Sequence, residues 1–155
     1  MRVIGLGNPE AGDDAVGLIA ARRARPELEG IPGVEVVQVG AGVHVLDLLQ
    51  GAEAVVVVDA VRSPSGGRPP GTLVRVEAGP DGLPADASSS VSSHGFGVAE
   101  AVGLAAALGG TPIVVFIGVE AAEVAAGSPL SGPVEAALPA LVQAVVEEVR
   151  RLAAP

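Results

Sequence analysis

The sequence predicts an α/β fold: a three-layer sandwich with a mostly parallel central sheet flanked by helices. Three observations point there. Short apolar runs of strand length alternate with helical stretches, as successive βαβ units require. One of these runs, Val55-Val56-Val57-Val58, is four consecutive valines inside an unbroken apolar stretch. Such a run suits a central parallel strand buried on both faces. The chain has 155 residues, a length suited to one sizeable core. Its Ser-, Pro- and Gly-rich stretches are short enough to be loops rather than linkers. Residues 1–155 are therefore read as a single domain without internal repeats.

The elements follow in order. Residues 2–6 form a short buried strand that ends at Gly7. After a loop over residues 8–12, Asp13 or Asp14 opens a helix that runs to about Ala24. Its acids at the start and Arg22, Arg23 and Arg25 near the end match the helix dipole. Residues 34–39 are the second strand, and a short helix follows around residues 45–49. Residues 54–58 are the central strand, which terminates at Asp59. Residues 63–71 are a loop, and residues 72–77 alternate as an edge strand. A second loop, residues 78–90, leads to Ser92 or Ser93 as N-cap of a helix reaching about Leu108, where Gly109-Gly110 stops it. Residues 113–118 are another buried strand. The last helical region spans about residues 133–153, with Pro139 expected to kink or restart it.

Composition narrows the function. Hydrophobic residues make up 49% of the chain but only two, Phe96 and Phe116, are aromatic, so no platform for stacking bases is available. Eighteen acidic against nine basic residues give a net charge of -9, which repels a phosphate backbone. A protein or metal-bearing partner is easier to accommodate. The absence of Cys rules out disulfides and thiolate ligands. No apolar run approaches the length needed to span a bilayer. Met1 runs directly into the first strand without the features of a signal peptide. A cytoplasmic protein is expected.

Ligands of parallel α/β sheets sit at the carboxyl ends of the strands, so residues there carry the candidate chemistry. Three segments deliver polar side chains to that edge: Gly12-Asp13-Asp14, Val58-Asp59-Ala60 and Ser92-Ser93-His94. Each has an ordinary reading. Asp13 and Asp14 serve as N-cap and first-turn acid, Asp59 as a turn residue, His94 as a first-turn helix residue. His44, beside Val43 and Val45, reads as structural. Together, two carboxylates and an imidazole form an O,O,N set suited to a divalent first-row metal such as Ni or Zn. Three protein ligands leave positions open for water or for ligands carried on a partner.

With these residues in view, the sequence resembles the hydrogenase maturation proteases. The opening block stands as Gly5-Leu6-Gly7-Asn8-Pro9-Glu10-Ala11-Gly12-Asp13-Asp14-Ala15-Val16-Gly17. The second is Val55-Val56-Val57-Val58-Asp59 with Pro70-Gly71-Thr72-Leu73. The third is Ser92-Ser93-His94, and the fourth Leu130-Ser131-Gly132-Pro133-Val134. Each block alone is weak, but the four occur in the family's order over almost the whole chain. Two departures stand out. Ala15 occupies a position where Gly is common, and Glu120 one where many relatives have Gln followed by Pro.

The resemblance implies an endopeptidase that removes the C-terminal extension of a [NiFe]-hydrogenase large-subunit precursor after nickel insertion. The residues carried over to the metal and to catalysis are Asp14, Asp59 and His94. The nickel belongs to the substrate. Its presence licenses cleavage, and either polarisation of the scissile carbonyl or activation of water is open to it. A divalent ion in the free protein is expected to bind weakly and with pH dependence, because His94 must be neutral to coordinate.

Three other readings compete. Peptidyl-tRNA hydrolases also open with a strand and Gly-Leu-Gly-Asn-Pro, here Gly5 to Pro9, but this chain has no His soon after and its charge suits tRNA poorly. A dinucleotide-binding module would want Gly where Glu10 stands. A non-catalytic chaperone holding the precursor through the same metal contact differs from the protease only in activity.

Overall fold

The computed structural model describes residues 1–40, 45–63, 67–79, 98–109 and 112–155. Among the described residues, five strands form one sheet: β1 (Arg2–Leu6), β2 (Glu35–Val39), β3 (Ala54–Val61), β4 (Leu73–Glu77) and β5 (Ile113–Glu120). Their spatial order is β2-β1-β3-β5-β4. The first four are parallel, while β4 runs antiparallel along β5 as an edge strand.

Among the described residues, four helices cover the two faces: α1 (Val16–Leu28), α2 (Val45–Leu49), α3 (Val98–Ala107) and α4 (Gly132–Ala153). Strand alternation divides the core accordingly. Val56, Val58 and Ala60 of β3 pack with α1 and α4, whereas Val55, Val57 and Val61 pack with α3 and Leu49 of α2. Helices on both faces make three layers. The four valines are fully buried, as the run implies, because β3 is central and covered on both sides.

Element boundaries differ from the sequence expectation at several points, with β5 reaching Glu120 and the first α-helix opening only at Val16 after a 3-10 turn, and three further differences have a packing reason. The central strand does not end at Asp59 but continues to Val61, because β5 runs alongside to Glu120 and keeps pairing with it. The first helix extends past Ala24 to Leu28, with Pro26 inside it. Leu28 is fully buried and follows Ala20 and Ala24 at helical spacing, so the last turn is held by the core. Pro26 is on the exposed side, where water can satisfy the carbonyl its missing N–H frees. Pro139 neither breaks nor restarts α4, which is one helix from Gly132 to Ala153. It too is exposed, while Val134, Leu138, Leu141, Val145 and Val149 keep an unbroken apolar stripe on the sheet. The expected N-cap at Ser92 or Ser93 and the helix start lie outside the described residues.

Candidate functional site

The strand order places a topological switch between β1 and β3. The chain leaves β1 for β2 on one side, then returns across β1 to β3 on the other. In open parallel sheets a crevice forms at the carboxyl ends of two such strands. The segment after β1 and the end of β3 meet there.

Glycines let them meet closely. A Cβ on Gly17 would lie 2.3 Å from both the Leu6 and Val58 carbonyl oxygens, far inside contact distance. Only Gly allows the first turn of α1 to rest on the ends of both strands. A Cβ on Gly7 would lie 2.0 Å from the Asp14 carbonyl oxygen. That carbonyl accepts the Asn8 N–H at 3.2 Å, so Asp14 is drawn back over the end of β1.

Asp14 sits in a single 3-10 turn, Gly12–Ala15, that precedes α1, and it is 5% exposed. Asp59 is in β3 next to Val58, fully buried. Its register partner on β5 is Gly118, which adds no side chain above it. On the other side, β1 pairing stops at Val58. The Val61 carbonyl points to the β5 side, where it accepts the Ala121 N–H, so the Ala60 N–H points toward the ended β1. The Asp59 Oδ1 accepts that N–H at 2.8 Å. The carboxylate thus replaces the missing ladder partner while lying at the switch point with Asp14.

Asp59 shares a strand face with Val57 and Val61, the face covered by α3. Just past α3, Leu108 lies with Gln50 and Gly51, which precede β3. The helix therefore ends at the amino edge of the sheet and its first turn lies toward the carboxyl edge. His94, four positions before that turn, and His44 both lie outside the described residues. Among the described residues no group of three or more His, Asp or Glu is gathered for a metal ion.

Asp13 does not cap a helix. No side chain caps the 3-10 turn or α1, and the Asp13 carboxylate instead accepts four hydrogen bonds from one distant segment. The donors are the N–H of Ala122 at 2.8 Å, Glu123 at 2.9 Å and Ser131 at 2.7 Å, and the Ser131 hydroxyl at 2.8 Å. Burial alone would raise its pKa. The hydrogen bonds from Glu123, Ser131 and Ala122 outweigh burial and hold the carboxyl below its ordinary value.

Glu120, the last residue of β5, is 5% exposed. Its two carboxylate oxygens accept the Ser63 N–H and hydroxyl, both at 2.7 Å. Arg68 donates in turn to the Ser63 hydroxyl oxygen at 3.2 Å. A carboxylate here offers both oxygens as acceptors, where an amide would offer one. Glu120 thereby ties the start of the β3–β4 loop to the same edge, a role not visible in its spacing.

The comparisons with known proteins agree with this architecture. A hydrogenase maturation protease family model matches residues 16–148, which include Asp59 and His94 and begin just after Asp14. The hydrogenase maturating endopeptidase HybD of E. coli superimposes with a TM-score of 0.78 at 24% identity, over 97% of this chain and 91% of that one. The [NiFe] hydrogenase maturation protease HybD of Thermococcus kodakarensis gives 0.68 at 27% identity, over 99% and 98%. A hydrogenase 2 maturation peptidase from a Thaumarchaeota archaeon gives 0.68 at 28% identity, over 96% of each chain. No curated protein matches the chain in sequence. With the family model spanning most of its length, the chain belongs to the hydrogenase maturation protease family.

Proposed function

We propose that this protein removes the C-terminal extension of a [NiFe]-hydrogenase large-subunit precursor once nickel is in place, and that Asp14, Asp59 and His94 face the substrate's nickel. Family membership supports the processing reaction. The observation that carries the assignment of residues is the pair of buried carboxylates, Asp14 and Asp59, at the β1/β3 switch point. Buried carboxylates are costly unless they are hydrogen-bonded or face a cation, and the carboxyl ends of two diverging parallel strands are where ligands of such sheets bind.

The chain's own residues divide the work. Gly17 and Gly7 set the first turn of α1 on the strand ends, and Asp59 is held by the Ala60 N–H. Asp14 and Asp59 supply oxygen, and His94 supplies the nitrogen of an O,O,N set. Three ligands leave further positions to the ligands the nickel already has in the substrate. Bound in the precursor, nickel would license cleavage, and polarising the scissile carbonyl or activating water would be open to it. No described helix here is long and apolar enough to cross a membrane.

The test is replacement of His94. Outer-shell partners of a metal are alone worth roughly 10–100-fold, so loss of a ligand should cost more than about 100-fold. His94→Ala and Asp14→Ala should remain folded and fail to shorten nickel-loaded precursor, while His44→Ala processes it normally. Normal shortening by a folded His94→Ala protein would sink the assignment of the nickel-facing residues.

A further inference from the structure

We infer that Asp13 is a positioning residue: by tying the 121–131 segment to the Gly12–Ala15 turn, it fixes where the neighbouring Asp14 carboxylate is held. The inference rests on the reading of Asp14 as a nickel-facing residue.

A four-residue 3-10 turn does not hold its own shape well, since its hydrogen-bond geometry is poor and its runs are short. This one also lacks a side-chain cap. Its conformation is set from two sides. Toward the sheet, the Asp14 carbonyl accepts the Asn8 N–H at 3.2 Å, while the Asp14 N–H closes the turn itself onto the Ala11 carbonyl at 3.0 Å. Away from the sheet, ties among the described residues run to the 121–131 segment. Asp13 donates its N–H to the Glu123 carbonyl at 2.7 Å, and Glu10 accepts the Gly127 N–H at 2.6 Å. The Asp13 carboxylate then takes all four donors from Ala122, Glu123 and Ser131.

The contact is backbone against backbone. Gly12 has φ +56, and a Cβ there would lie 2.6 Å from the Glu123 carbonyl oxygen. Nothing cushions Gly12 from the Glu123 carbonyl, so a shift of one moves the other. Asp13 is fully buried at the centre of this contact, and Asp14 is the next residue along the same turn. The two ends of the segment are rooted in two elements: Ala121 donates its N–H to Val61 of β3 at 2.8 Å, and Ser131 precedes α4. Asp13 therefore references the position of Asp14 to the end of the strand that carries Asp59. Ordinary stabilisation does not require that link, but a shared metal between Asp14 and Asp59 does.

The test measures shortening of nickel-loaded precursor per folded molecule, well below the unfolding transition, for wild type, Asp13→Asn, Ser131→Ala and Glu148→Gln. Glu148 is a buried, hydrogen-bonded carboxylate between β4 and α4, remote from the switch point, and serves as the stability control. Misplacement of a contact group by about 1 Å can cost roughly 100-fold, so Asp13→Asn should lose about 10- to 100-fold. Ser131→Ala removes one donor of the four and should lose at least about threefold. Glu148→Gln should stay within about twofold of wild type, as distant sites do. If Asp13→Asn fails to fold, Ser131→Ala decides. Folded Asp13→Asn, or in its place Ser131→Ala, processing as fast as Glu148→Gln overturns the inference. Failure of wild type to shorten nickel-loaded precursor instead overturns the underlying function, and full activity of Asp14→Ala overturns the role of Asp14.

Discussion

Asp13 and Asp59 are both fully buried aspartates, yet only one of them announces itself in the sequence. Asp59 interrupts an unbroken valine run, so its place near the carboxyl end of a central strand is legible from neighbours in the chain. Asp13 draws its donors from residues 109 to 118 positions away, and nothing local distinguishes it from a helix cap. Glu120 is hidden for the same reason, its partner Ser63 being 57 positions distant. Glycine spacing was more informative than it first seems: Gly5, Gly7 and Gly17 read as a weak motif, but each lies where a Cβ would strike backbone or side chain. Gly17→Ala should therefore push α1 off the strand ends. We expect a loss of about 1–3 kcal/mol in urea unfolding, together with slower processing because the turn carrying Asp14 moves. A variant as stable and active as wild type would contradict the close-approach argument.

Elements were legible where apolar pattern and burial coincide. The parallel strands and α2 follow from short apolar runs, and β4 from its alternation, with Leu73 packed toward α4 and Val76 toward the other core. The pattern does not show where an element stops, because that depends on neighbours. β3 outlasts its valines because β5 does, and α1 and α4 run through prolines placed on exposed sides. Among the described residues Phe116 is the bulkiest fully buried side chain, on the α3 side of β5. Phe116→Ala should cost about 3–5 kcal/mol, measured as a shift of the urea midpoint at unchanged slope. A loss under about 1 kcal/mol would mean the α3 layer is not packed as described.

The β4–α4 contact carries a charge network with its own pH signature. Arg75 forms a two-pronged pair with Glu148 at 2.8 and 3.0 Å, and Arg151 adds a bond at 2.7 Å. The Arg75 hydrogen bond, above all, overcomes burial and holds the Glu148 carboxyl below its ordinary pKa of 4.5. A depressed carboxyl stabilises the fold fully above its unfolded value, and that contribution is lost as pH falls through the folded one. Both arginines are about half exposed, so solvent screening limits it to roughly 1 kcal/mol. Urea unfolding of wild type and Glu148→Gln should show a steady gap at neutral pH that closes below about pH 4.5. A gap that is unchanged at pH 3 would show that the pair adds packing rather than charge.

At the scale of the whole molecule, the fold and the sheet edge that carries the candidate residues Asp14 and Asp59 were readable together, because a parallel sheet confines ligands to one edge and the apolar runs say where that edge is. Net charge of -9 pointed away from nucleic acid and toward a protein or metal-bearing partner. The strand order β2-β1-β3-β5-β4 then adds what the sequence lacks: a switch point between the two strands nearest Asp14 and Asp59. The scaffold around them, the Asp13 clamp and the Glu120–Ser63 tie, arises from loops whose pairing only the tertiary structure discloses. The central claim is that this edge reads nickel held by the substrate before the tail is cut. It is tested most directly by incubating wild-type protein with nickel-loaded and with nickel-free large-subunit precursor and following intact mass. The account predicts loss of a single C-terminal fragment from the nickel-loaded precursor and no change in the nickel-free one; equal shortening of both, or of neither, would contradict it.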